Sequence, residues 1–390
     1  MRTDHSKATL ASEGISQQQS KVASSRADRL STFDLAKMPV PTGREEDWRF
    51  TPLDRVAHLF DEKISGTAPR IDHVHGNNIE VETYANDFQP VVGAPGDRAA
   101  VVSWNSAAQK TVLKLAKDTQ AQEAELFDIV GTGTESAAQR IVLEIGEHAA
   151  ATVVFSHKGN ANVTQTLEIN VAEGAQLTFV SIQEWDSEST HAANHRIRLG
   201  KDASIKHVVI SFGGKTVRIC PDVEYAGEGG SCEMLGLYYT DAHQHHEHRL
   251  FVDHSVANCY SRVTYKGALQ GAGAHAVWVG DVLIGAQAFG TDSYESNRNL
   301  ILTPGALADS IPNLEIENGE IAGAGHASAI GHFEEEHLFY LMSRGIDEGT
   351  ARRLVIHGYF GELIGQIGVP DIEAHLMTLV EAELEGATLA

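Results

Sequence analysis

A mainly β chain with a β-solenoid at its centre is what this sequence predicts, on three observations. Acidic or glycine-rich turns recur at a nearly fixed interval, a small residue follows each turn, and the residues after it alternate with period two. The small residues are Ala149, Ala175, Ala203, Gly230 and Ala257, at intervals of 26, 28, 27 and 27 positions. Two places after them stand Ala151, Leu177, Ile205, Cys232 and Cys259, a wholly apolar column. Four places after them stand Val153, Phe179, His207, Met234 and Ser261, while interleaved positions such as Gln176, Ser204 and Ser231 are mostly polar. Successive side chains of a strand face opposite sides, so one column stacks inward and the next faces water. A second apolar run precedes each turn (Leu143/Ile145, Ile169/Val171, Ile197/Leu199), which gives two or more strands per coil. Strands stacked at a steady period describe a solenoid; a β-sandwich requires no such period.

The other elements flank this core. Residues 1–32 are rich in Ser, Gln and charge and are expected to form a disordered tail. Residues 33–140 form an N-terminal mixed helical domain, with short helical pieces around Arg44–Leu53 and a helical stretch from Ala107 to Lys117. The β-helix core is assigned to residues 141–332; its strict period slips after Tyr265. A C-terminal helical domain occupies residues 333–390. One helix there runs from Glu334 to Arg344 and stops at Gly345. A second begins at Asp347 with Ala351, Leu354, Val355 and Tyr359 on one face. A third follows Pro370, with Ile372, Leu376, Met377, Val380 and Leu384 at helical spacing.

Composition narrows the function. The chain has 390 residues, 42% hydrophobic, and a formal charge of −23. Such a surface repels phosphate backbones, which argues against nucleic acid and anionic membranes as partners. Three cysteines without a Cys-x-x-Cys pair point to a reducing compartment. The first 25 residues contain no apolar run, so no secretory leader is expected, and the location expected is the cytoplasm.

Several residues could carry chemistry. In His243-Gln244-His245-His246-Glu247-His248, a strand puts His246 and His248 on one face and His245 and Glu247 on the other. Paired imidazoles bind transition metals, which opens the reading of a metal-dependent β-helix enzyme; the alternative is a solvated strand on the solenoid wall. Gly213-Gly214-Lys215-Thr216 ends like a phosphate loop, but Val209 stands where the pattern needs glycine and a strand-like run follows. Cys232 and Cys259 fall in the inward column, while Cys220, before Pro221, is expected at a more accessible turn. Asp281, Asp292 and Asp309 could supply carboxylates but share no recurrent spacing. His326, amid small residues from Ala322 to Gly331, is left unshielded, so another backbone can come close.

Tyr265-Lys266-Gly267, Pro312-Asn313-Leu314-Glu315-Ile316, Gly325-His326, Phe339 to Ile346, Ala351-Arg352-Arg353-Leu354 and Gly358-Tyr359-Phe360 occur in that order, after an N-terminal Arg44 to Leu53 segment. This pattern resembles the SufB/SufD family of iron–sulfur cluster assembly proteins, and within it the SufD kind. The resemblance implies a right-handed parallel β-helix and a non-catalytic scaffold subunit of a SufBCD-type complex. Its partners would be a SufB-like paralogue, through the β-helix, and a SufC-like ABC ATPase, through the C-terminal helices. That places Tyr340, Ser343, Arg344, Gly345 and Phe360 among the partner-binding residues. It also gives His326 the family's cluster-assembly position, facing a cysteine of the paralogue. Some SufD members carry a cysteine two places earlier, where this chain has Ala324. The resemblance further implies that no cofactor is held stably by the chain alone, a nascent cluster or iron being handled within the complex; whether the isolated chain pairs with itself as a homodimer is left open by the sequence.

Overall fold

The computed structural model describes residues 29–87, 89–333 and 335–386. The tail expected over residues 1–32 lies, up to residue 28, outside the described residues, as does Glu334. Among the described residues, sixteen strands form one continuous sheet. They are β1 (Arg70–His75), β2 (Ile79–Ala85), β3 (Gln109–Leu115), β4 (Glu125–Ile145), β5 (Ala150–Val171), β6 (Gln176–Trp185), β7 (Thr190–Leu199) and β8 (Ser204–Ser211). Next come β9 (Thr216–Tyr225), β10 (Ser231–Thr240), β11 (His245–His254), β12 (Tyr260–Leu269), β13 (His275–Ile284), β14 (Asp292–Ile301), β15 (Leu307–Ile316) and β16 (Gly323–His332).

From β5 onward the pairing is parallel and skips every second strand. The order β15-β13-β11-β9-β7-β5-β6-β8-β10-β12-β14-β16 describes two walls joined through β5. The first half of β5 pairs with β6 and its second half with β7. The chain therefore winds as a parallel β-helix with one strand per wall in each coil. The solenoid starts earlier than residue 141, because β4 already stacks on β5 over both walls. The stretch from Ala107 to Lys117, expected as helix, is instead strand β3; Leu113 and Leu115 turn into the core, and Val112 is buried on the opposite face. After the one-turn helix α1 (Leu53–Val56), the longer helix lies just before β3: α2 (Arg98–Ser106), whose Asp97 cap accepts from the Ala100 amide.

The repeat frame is right for four coils and wrong for the fifth. Gln176, Ser204 and Ser231 pair in one column, but Ser231 pairs with Tyr260. Cys232 therefore stacks on Ser261, and Cys259 takes the place expected for Ala257. The turn before β12 is no longer than the one before β10; the two extra residues lie in β10 itself, which has ten residues where its partner β8 has eight. The column continues to Asp292 and Gly323 at wider intervals, so the stacking persists where the period slips. Each turn places a left-handed residue just before the stacked small one: His148, Gly174, Asp202, Gly229, Asn258 and Gly290. Asn, Asp and His tolerate this conformation better than other side chains, and Gly adopts it freely.

Between the walls runs a lumen packed with alternate side chains of every strand. Tyr265 lies across Gly236 and Tyr238 across Gly267, each ring filling the space above a residue without a side chain. Both outer faces are covered. Helices α4 (Glu348–Ile364) and α5 (Pro370–Gly386) bury Ile356, Phe360, Leu363, Leu376, Val380 and Leu384 against the even-numbered wall. Leu354, expected on the packing face of α4, is 50% exposed; Ile356, Phe360 and Leu363 take that face. Lys266 fastens α4 through the Tyr359 carbonyl (3.0 Å) and Glu362 (2.7 Å).

The N-terminal segment covers the odd-numbered wall. Trp48 is buried beneath the Arg218 guanidinium, 3.8 Å from its ring centre. Thr51 donates to buried Glu247 (2.7 Å), which Arg218 and Arg249 also approach. Burial raises the Glu247 carboxyl pKa, but Arg218, His245 and Arg249 outweigh it and hold the group ionised.

Candidate functional site

The histidine cluster at residues 243–248 divides between turn, wall and lumen. His243 sits in a turn with positive φ. On β11, His245 and Glu247 face outward beneath the N-terminal segment, and His246 and His248 face the lumen, which matches the two faces expected. None of these four is solvated, so the reading of a water-exposed wall is corrected: all four are buried. His246 spends both nitrogens on the protein. Nε2 donates to the Gly213 carbonyl (3.3 Å) and Nδ1 accepts from Thr240 (3.1 Å). His248 bonds Ser211 and stacks on Tyr238. Burial pushes both imidazoles down to about 3, so they are neutral. Among the described residues, no three His, Cys, Asp or Glu side chains converge to hold a metal ion.

The cysteines are buried. Cys220 was expected at an accessible turn but lies within β9 at 6% exposure, covered by the N-terminal segment. Burial pushes the Cys220 and Cys232 thiols up, so both stay protonated, the form that neither attacks nor ligates. Gly213–Thr216 is a bend leading into strand β9, as its sequence implies. Asp281, Asp292 and Asp309 do not share a site. Asp281 accepts from Asn313, Asp292 pairs with Arg262, and Asp309 pairs with His275.

At the other end of the solenoid the lumen changes character. On β14 the inward positions are Ser293, Glu295, Asn297 and Asn299, all buried. A chain of hydrogen bonds leads outward from the tyrosines. Tyr238 donates to Asn299 (2.6 Å), Asn299 to Asn297 (2.6 Å), Ser310 to Asn297 (2.6 Å) and Ser328 to Ser310 (2.8 Å). Ser310 lies on β15 and Ser328 on β16, the last strand of each wall, and β16 is exposed along most of its length. The lumen thus ends in a polar mouth. The pairing of β14 with β16 sets His326 directly opposite Glu295, in the same inward column as Ser328. His326 itself is exposed.

Glu295 escaped the sequence reading. It is 1% exposed, and neither carboxyl oxygen closes a hydrogen bond. Burial and the nearby Asp281 carboxylate push it up to about 8, opposed only in part by the Asn313 amide, so it is protonated at neutral pH. The signal lay in alternation: Ser293, Glu295, Asn297 and Asn299 occupy every second place in a strand, and Glu295 precedes His326 by one coil of 31 residues.

The family model described as "SUF system FeS cluster assembly, SufBD core domain" matches residues 127–359, which span the solenoid and most of α4. The chain belongs to the SufBD family of iron–sulfur cluster assembly proteins. An iron–sulfur cluster assembly SufBD family protein of Mycobacterium bovis is 43% identical over 97% of this chain and 96% of its own length. The iron–sulfur cluster assembly protein SufD of Escherichia coli is 23% identical over 90% of this chain and 91% of its own. Mycobacterium leprae has two SufBD family proteins that are similar to this one. One is 42% identical over 91% of the chain and 93% of its own length; the other is 25% identical over 59% of the chain and 26% of its own.

Within this SufBD family member, the structure separates the residues expected at partner surfaces. Tyr340 (57% exposed) and its neighbour Phe339 (75%) lie on α3 (Glu335–Ser343), with Arg344 stacked on the Tyr340 ring. Ser343 caps back onto the Tyr340 carbonyl, and Gly345 takes the positive φ that ends the helix. Phe360 is different: its ring is fully buried between α4 and the solenoid wall. No helix among the described residues is long and apolar enough to cross a membrane.

Proposed function

We propose that this chain is the SufD-like, non-catalytic scaffold subunit of a SufBCD-type complex, and that His326 offers a nitrogen ligand to iron or a nascent cluster at the boundary with a SufB-like paralogue. The observation that carries the reading is the polar, exposed mouth of the lumen, with an imidazole on its last strand and the chain's three cysteines buried elsewhere. Iron–sulfur clusters are held mainly by thiolate, so the sulfur ligands come from the partner. Likeness to SufD along nearly the whole chain supports the subunit assignment. Two family members in one organism, only one of them similar end to end, fit a paralogue pair.

A SufC-like ABC ATPase is assigned to the C-terminal helices, where Phe339, Tyr340 and Met342 leave an apolar surface uncovered. ATP hydrolysis moves the scaffold pair only if the ATPase binds its two arrangements with different affinity. The acidic surface and the protonated thiols suit a cytoplasmic location, away from nucleic acid and membranes. Without the paralogue, the exposed last strands allow the isolated chain to self-pair.

Co-expression with an ABC ATPase and the paralogue of the same organism tests the assignment. A stable three-protein complex is expected, and its loss on Phe339→Asp/Tyr340→Asp with the solenoid intact. If neither protein co-purifies with the wild-type chain, the assignment is wrong.

A further inference from the structure

We propose that Glu295 is the second ligand of the His326 site, its carboxyl and the imidazole taking up one divalent cation of the ferrous kind. This rests on the reading of His326 above and adds to it a ligand and a cargo.

Three observations carry it. Glu295 and His326 are register partners on adjacent parallel strands and point into the same mouth. Neighbouring strands lie about 4.8 Å apart, a separation that lets a carboxylate oxygen and an imidazole nitrogen reach one ion. The Glu295 side chain is enclosed, yet neither oxygen closes a hydrogen bond; the Asn313 amide approaches the carboxyl without completing one. A buried carboxyl with no partner is destabilising, and an apolar residue would fill the same place at no such cost. Gly280, across the lumen, makes the room: a Cβ there would collide with Glu295 Oε2. The bonded Ser310 and Ser328 hydroxyls add to the polar character of the same mouth, with Ser328 two places beyond His326 on β16.

The donor set selects the cation. One imidazole and one carboxylate form a borderline nitrogen and oxygen pair suited to ferrous iron, whereas calcium and magnesium prefer oxygen alone. Two ligands leave most of the coordination sphere open to thiolate or water. That agrees with the lack, among the described residues, of any group of three ligating side chains.

The test is anaerobic titration of the co-purified complex with Fe²⁺ alone, comparing wild type, Glu295→Gln and His326→Ala. Both variants are expected to weaken Fe²⁺ binding by roughly tenfold or more, as measured losses at metal sites suggest. If His326→Ala weakens binding and Glu295→Gln does not, the inference falls while the reading of His326 stands. If His326→Ala binds as the wild type does, or the wild type takes up no Fe²⁺, both fall. Should Glu295→Gln fail to assemble, Glu295→Asp replaces it, with the same direction of change expected and unchanged affinity overturning the inference.

Discussion

Glu295 on β14 and His326 on β16 face the same lumenal mouth one strand apart, the carboxyl buried and the imidazole exposed. The pair carries a cost that is measurable without any ligand. Burial and Asp281 raise the folded-state pKa of Glu295 to about 8, above its unfolded value. Such a carboxyl contributes its stability below the unfolded pKa and loses it as pH rises toward 8. Glu295→Gln removes that loss. Its Tm is expected to exceed that of the wild type at pH 8 by more than at pH 5, as read by thermal melts. A lower Tm at pH 8 would contradict the assignment of a protonated, unpartnered carboxyl.

Tyr265 depends on Gly236 in a different way. A Cβ at Gly236 would collide with the Tyr265 ring inside the closed lumen. Gly236→Ala should therefore destabilise the chain by about 1–3 kcal/mol, the usual range for overpacking a filled core. Adding Tyr265→Leu should recover part of the loss, and a double-mutant cycle reads that coupling. Strict additivity would mean the two residues do not contend for the same space.

Acid should unfold the solenoid early. Burial pushes His207, His246 and His248 down to about 3, and His157 and His254 to about 4. In the unfolded chain each binds a proton near pH 6.5, while in the fold it stays neutral. The unfolded state therefore holds more protons below that pH, and stability falls as pH drops from about 6.5 toward 4, by up to about 1.4 kcal/mol per pH unit for each histidine. Urea midpoints at pH 7, 6 and 5 should decline with increasing steepness. Equal midpoints would show that the lumen admits water freely around these rings.

Much of this architecture was legible because a solenoid writes its period into the chain. The frame failed at the fifth coil, where the small residue was taken as Ala257. The marker it overlooked is the left-handed residue before each stacked position, and Asn258 occupies that place before Cys259. Strand β3 is short, and seven residues of which only Val112, Leu113 and Leu115 are apolar do not distinguish helix from strand. Cys220 stands beside a proline, which suggests access; its cover comes from the distant N-terminal part of the chain, including Arg29 and Asp97, which no local pattern reveals. His326 was singled out as a candidate by its small neighbours and its motif. Glu295 was not, since only the stacking of distant strands brings a carboxyl and an imidazole one coil apart into the same mouth.

Cluster content of the purified three-protein complex carrying His326→Ala is the most direct test of the whole account. The complex should form in normal proportion and melt at the wild-type temperature, because His326 is exposed and supports no packing. Its iron and acid-labile sulfide should drop severalfold below the wild-type complex prepared alongside. Wild-type iron and sulfide in an intact His326→Ala complex would contradict the claim that the chemistry of this chain lies at the mouth of its solenoid.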